Sequence, residues 1–171
     1  MGRAEPTAAM QAHVADAKLA VLATTGPRGP HAAPVWFLYR DGEFLLSTGV
    51  HRQKAKNIQR DDRVGLAVLA EAGTPAVMID GRARLDHIDS FGLVAELAER
   101  YLGTETGADY VRRLSTEMTP ATLWRVIVRP TSWKSWALNE EPGDLVTQMM
   151  PAVSRQVRQR EKMRVEESIE E

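Results

Sequence analysis

"HAAPVWFLYRDGEFLLST", residues 31–48, decides the fold: it reads as strand, tight turn, returning strand. Asp41-Gly42 readily adopts the positive φ angles of a two-residue hairpin turn. Over 31–40 the alternation turns Val35, Phe37 and Tyr39 one way and Trp36 and Leu38 the other. "EFLLST" (43–48) then returns as the third strand of the chain.

Upstream, "LAVLATT" (19–25) is a short β-leaning run that ends at the turn "GPRGP". Before it, Thr7 is placed to cap a helix running to about Lys18, with Gln11 as its capping-box partner. Downstream, residues 47–64, "STGVHRQKAKNIQRDDRV", hold a short basic helix with Ala55, Ile58 and Gln59 on one face. "RVGLAVLA" (63–70) is a further strand and "EAGTP" its turn. "AVMIDGRARLDHI" (76–88) alternates with period two: Val77, Ile79, Gly81, Ala83 and Leu85 share one face. Asp89 is placed to cap a helix striped by Phe91, Val94, Ala98 and Tyr101, and a second short helix spans about 108–118. "ATLWRVIVRP" (121–130) is a strand stopped by Pro130, and "SWKSWAL" (132–138) a short final one. Six or seven mostly antiparallel strands with helices between them suit a small closed barrel, which removes the exposed strand edges. The expected organisation is one domain over 1–139 and a charged helical tail over 140–171, able to lie on a partner subunit.

Composition bounds the function. With 171 residues, 43% hydrophobic and 26% charged, the chain has the make-up of a soluble globular domain, expected in the cytoplasm. It has no cysteine, which excludes disulfides, zinc–thiolate sites and thiol nucleophiles. A net charge of −1 argues against nucleic-acid binding, and no apolar run is long enough for a membrane span. The four histidines (13, 31, 51 and 87) lack metal-ligand spacing and read as solvated or turn residues; no metal is expected. There is no GxSxG, Walker or GxGxxG motif. Asp61-Asp62 and Glu140-Glu141 sit at element ends, where solvation explains them. Trp124, Trp133 and Trp136 read as packing, whereas Trp36, beside the small residues of "AAP", suits either the core or a pocket for a planar ring.

The basic helix is wired backwards. His51, Arg52, Lys54 and Lys56 crowd its first turns and the acids its end, although a helix N-terminus carries partial positive charge. A solvated face is the plain alternative. A bound anion resolves the conflict, because exposed N–H groups with Arg and Lys beside them make a phosphate seat. Ser47 and Thr48 offer hydroxyls nearby, and Gly49 allows close approach of the backbone.

These pieces also resemble a family. "LAVLATTGPRGPHAAPVWFLYRDGEFLLSTG", "RQKAKNIQRDDRVGLAV", "VMIDGRARL" and, more weakly, "RVIVRPTSWKSW" are similar to the FMN-binding split-barrel proteins related to pyridoxamine 5′-phosphate oxidase. The likeness is greatest to the branch that uses the deazaflavin coenzyme F-420. It covers most of residues 19–136, and K-x-x-N-[IL]-x-R-D-x-R-V together with the P-V-W-F strand is its most specific part. The resemblance implies a six-stranded antiparallel split β-barrel, mainly β with added α, that forms a homodimer with cofactor in a groove between subunits. It implies that Arg52 and Lys54 contact a cofactor phosphate beside Ser47, Thr48 and Gly49, with Lys56 and Asn57 matching the motif; the alternative role for Asn57 is to cap or brace the helix. Pro34, Val35 and Trp36 would run along the ring, and Thr74 and Ala76 would face the partner's cofactor without supplying an aromatic. The implied function is an oxidoreductase using F-420, or FMN, to pass hydride to a small unsaturated or conjugated substrate. The alternatives are a non-catalytic flavin-, deazaflavin- or haem-binding module, and an FMN-dependent pyridoxamine phosphate oxidase-like enzyme.

Overall fold

A computed structural model describes residues 4–73 and 75–138 of the chain. The tail expected over 140–171 and the site residue Thr74 lie outside the described residues. Four helices, α1 (Ala8–Asp16), α2 (Gln53–Arg60), α3 (Ser90–Leu102) and α4 (Thr104–Glu117), accompany seven strands. The strands are β1 (Leu19–Gly26), β2 (Gly29–Val35), β3 (Leu38–Arg40), β4 (Glu43–Gly49), β5 (Arg63–Leu69), β6 (Ala76–Asp86) and β7 (Leu123–Trp136). They form one antiparallel sheet in the order β2-β1-β5-β6-β7-β4-β3.

The expected single strand over 31–40 is in fact two, and the sheet has seven strands where the resemblance implied six. Val35 pairs with Ala20 at one edge of the sheet, and Leu38 pairs with Leu45 at the other. Only Trp36 and Phe37 separate them. Three virtual Cα bonds span at most about 11 Å, so the sheet must curl until its two edges come close. No ladder joins β2 to β3, so the barrel is split rather than closed as alternation alone suggested. Phe37 is fully buried at this crossing, and its N–H, which has no strand to pair with, donates to the Tyr101 hydroxyl of α3 at 3.1 Å. Trp36 stacks on the same tyrosine, with ring centroids 5.1 Å apart. The hairpin itself is as expected, with Asp41 at φ 54° and Gly42 at φ 80°.

Pro130 does not stop the last strand. The register passes from Gly81 opposite Pro130 to Asp80 opposite Ser132, leaving Thr131 as the extra residue of a bulge. At a bulge the missing proline donor costs the ladder little. The Thr131 hydroxyl donates to the Asp80 carbonyl at 3.1 Å. A Cβ at Gly81 would stand 2.8 Å from the Arg129 carbonyl, so glycine is needed on the facing strand. "SWKSW" therefore continues β7 and is not a separate strand.

Inward-facing Leu22, Leu66, Val68, Val77, Ile79, Val126 and Val128 fill the barrel. Phe44 and Trp133 join them, ring centroids 5.8 Å apart. The helices differ in detail from the sequence pattern. Thr7 caps α1 by accepting from Met10 N, but Gln11 lies one residue beyond the position a capping box requires and bonds only through its backbone. Asp89 precedes α3 with φ 49° and makes no side-chain cap. The buried stripe of α3 is Leu93, Val94, Leu97 and Ala98, with Phe91 and Tyr101 half-buried. α4 begins four residues earlier than expected, directly after Gly103 (φ 82°).

Tyr101→Phe keeps the ring stack and leaves the Phe37 N–H without its partner. It should cost about 1–3 kcal/mol, the penalty of a buried unsatisfied donor, read by urea unfolding.

Candidate functional site

α2 follows β4 through a tight link. Val50 N–H donates to the Thr122 carbonyl at 2.9 Å and Arg52 N–H to Gly49 at 3.0 Å, fixing where the helix starts. Arg52 stands at the cap position but offers no side-chain acceptor. The backbone N–H groups of Gln53 and Lys54 meet no acceptor among the described residues. Around them stand Arg52 and Lys56, both exposed, and Lys54, half-buried. None of the three pairs with a carboxylate among the described residues. Burial, and then the nearby Arg52 charge, lowers the Lys54 pKa.

The acids at the other end have a separate explanation. Asp61 binds Arg63 at 2.7 Å and Asp62 binds Arg82 at 2.5 Å, tying the helix end to β5 and β6. Hydrogen bonds from the Arg63 side chain and N–H hold the Asp61 carboxyl well below the usual carboxylate range. The reversed polarity thus has two halves: acids consumed by arginines, and cations that pair with no carboxylate among the described residues.

Asn57 holds the arrangement together. It is 1% exposed, accepts from Gln53 Nε2 at 2.7 Å and donates to the Thr24 hydroxyl of β1 at 3.0 Å. Its amide is occupied in bracing α2 against the sheet, the second of the two roles open to it in sequence. Gly26 lies beneath it, where a Cβ would stand 3.1 Å from Asn57 Oδ1.

The expected site residues fall into separate groups. Ser47, Thr48, Gly49, Arg52, Lys54, Lys56 and Asn57 come together at the β4–α2 junction. Within that group Thr48 is buried, with its hydroxyl on the Gly49 carbonyl at 3.4 Å, and Ser47 turns to the other face, opposite Arg125. Pro34 and Val35 lie at the end of β2, where Pro34 is exposed on the outward face and Val35 is turned the opposite way. Ala76 is buried at the start of β6, between Leu69 and Trp136. Sequence reasoning missed Tyr101 and Tyr110, which sit 5.1 and 5.4 Å from Trp36, ring centroid to centroid. Tyr101 was visible only as part of a helical stripe, and Tyr110 carried no pattern at all.

A rolled antiparallel sheet whose edges nearly meet, with a bare helix start at the end of one strand, defines a split-barrel protein. Residues 6–136 match the family model of pyridoxamine 5′-phosphate oxidase, and the chain belongs to that family. Among solved structures, an F420 reductase shares 22% identity, covering 76% of this chain and 98% of its own, at a TM-score of 0.61. Rv2991 from Mycobacterium tuberculosis shares 25%, covering 81% and 91%, at 0.63. General Stress Protein 26 from Bacillus anthracis shares 13%, covering 78% and 93%, at 0.54, a likeness of fold alone. No curated protein matches the chain. Among the described residues, no helix is long and apolar enough to cross a membrane.

Two outcomes follow from this geometry. Asn57→Ala should lose about 1–3 kcal/mol by removing the buried amide that donates to the Thr24 hydroxyl and braces α2 on β1, measured by urea unfolding. Lys54 gives the opposite sign. Its lowered pKa means that the folded chain holds this proton less tightly than the unfolded one. The penalty is full below the folded pKa and is relieved as pH rises through it. Lys54→Met should therefore raise the ligand-free melting temperature at neutral pH, an advantage that fades as pH rises through the lowered folded pKa and is gone by the ordinary lysine value of about 10.4.

Proposed function

We propose that the chain is a homodimeric oxidoreductase that binds a deazaflavin of the F-420 type, with FMN as the alternative, and passes hydride to a small unsaturated or conjugated substrate. The observation that carries this reading is the start of α2: two N–H groups that meet no acceptor among the described residues, flanked by Arg52 and the half-buried Lys54, which pair with no carboxylate among them. That donor set fits a phosphate, which would satisfy the N–H groups and neutralise cations that oppose the helix dipole. The order of preference between the two cofactors rests on the F-420 branch likeness, since both combine a flat ring with a phosphate.

The ring of such a cofactor supplies the hydride chemistry, and the protein supplies binding, orientation and exclusion of water. Here Arg52, Lys54 and the Gln53 and Lys54 N–H groups would fix the anion, while Asn57 holds the helix that carries them. Trp36, set against Tyr101, offers a rigid aromatic surface for the ring end. Holding the ring and substrate at near-attack distance accounts for much of the rate in such reactions, with no protein acid or base required.

Dimerisation is supported by the outward face of the sheet. Cross-strand pairing aligns Pro34, Val21, Ala67 and Met78 in one row, and Ala32, Ala23 and Gly65 in the next. These small apolar residues are exposed or half-buried. Covering such a surface with a second copy would set two β2 ends beside the groove.

The test is a pair of absorbance titrations with F-420 and FMN. Tight binding of F-420 is expected, and failure to bind either cofactor refutes the reading. Each charge-assisted contact is worth ~1.5–3 kcal/mol, so Arg52→Ala and Lys54→Ala should each weaken binding roughly ten- to hundredfold. Ala67→Glu should convert the dimer to a species near the 19.0 kDa monomer mass by light scattering and weaken cofactor binding with it.

A further inference from the structure

α4 is an odd helix. Gly107, Val111, Leu114 and Met118 recur at i, i+4, i+7 and i+11, the stripe of a helix that packs on a core. Yet only Gly107 is buried, pressed so close to α3 that a Cβ there would lie 2.9 Å from the Ala98 carbonyl carbon. Val111, Leu114 and Met118 are half-buried, whereas the equivalent stripe of α3 is buried. The underside of α4 therefore faces accessible space.

Both ends of that space are identifiable. At one end Tyr110 leans on Trp36 at 5.4 Å, and Trp36 stacks on Tyr101. At the other, a Cβ on Gly49 would stand 3.1 Å from the Met118 methyl and 3.7 Å from Arg52 Cγ. Met118 and Arg52 thus flank one spot, beside the unpartnered N–H groups of α2. Eight residues at 1.5 Å rise separate Tyr110 from Met118, so the aromatic end and the cationic end lie about 12 Å apart along α4.

We propose that α4 is the apolar wall of a binding slot, in which Leu114 and Met118 bear on the flat, apolar part of a phosphate-bearing small molecule whose anion lies at Arg52 and Lys54. The inference rests on the cofactor reading above. Charge selects this occupant. Arg52, Lys54 and Lys56, without carboxylate partners among the described residues, stand at one end. Trp36, Tyr110 and the half-buried Val111 and Leu114 stand toward the other. An elongated molecule with its anion at one end meets both requirements.

Nothing in the α2 argument requires α4, so the two can fail separately. The full chain is titrated with FMN and F-420 by difference absorbance, and with inorganic phosphate as a competitor. Leu114→Asn should weaken cofactor binding at least tenfold and leave the phosphate inhibition constant unchanged. Leu114→Met should bind as the wild type does, and Lys54→Ala should weaken both cofactor and phosphate. Wild-type cofactor affinity in Leu114→Asn overturns the inference and leaves the phosphate seat standing. An equal loss of cofactor and phosphate overturns it too, because that pattern marks general distortion. A Leu114→Asn chain that loses its dimer mass but binds cofactor normally gives the wall to a second copy instead. If the wild type binds neither cofactor, the parent reading and this inference fall together.

Discussion

Two residues carry the chain from one edge of the sheet to the other, and most of the molecule is arranged around that crossing. Trp36 and Phe37 belong to neither strand, so their backbone groups need partners from elsewhere. Tyr101 supplies one, which ties α3 to the crossing. Arg100, next along α3, lies 6.0 Å from the Phe37 ring and donates to the carbonyls of Ala15 and Ala17. One turn of α3 thereby joins the crossing, the end of α1 and the start of β1. Because α4 packs on α3 through Gly107, its placement depends on the same turn.

The opposing charges of α2 make sense against this rigid frame. Left alone, a helix with cations at its start and no cap would fray there. It is held instead from its flank by buried Asn57 and from its end by two ion pairs to neighbouring strands. Exposed ion pairs contribute little individually. The buried amide, with partners on α2 and β1, is the stronger constraint. The unfavourable N-terminus is thus kept in place by groups that do not themselves need to meet a ligand.

How much of this was legible in sequence depended on how local each cause is. The Asp41-Gly42 turn, the long alternation of β6 and the reversed charges of α2 are written in adjacent residues, and they stand in the structure as read. The break at Trp36–Phe37 was not legible, because an uninterrupted alternation over 31–40 looks the same whether it feeds one ladder or two. Pro130 misled for a related reason: it ends a strand only if its position needs a donor, and the bulge that removes the need is set by Gly81, about fifty residues away. Asn57 matched a motif, but its partner Thr24 lies in a different element. Tyr110 acquires meaning only when α4 is laid over Trp36.

A sheet that is split keeps two edges, and edges invite other strands. β3 offers little, with three residues. β2 is longer, but Pro30 and Pro34 occupy alternate positions along it with Ala32 between them. Proline has no N–H to give to β1, so this alternate set is the one whose donors point outward. Of three outward positions, only Ala32 retains a donor. A neighbouring chain therefore finds one donor where a ladder would need three, and a barrel left open along this edge does not become a seed for fibrils.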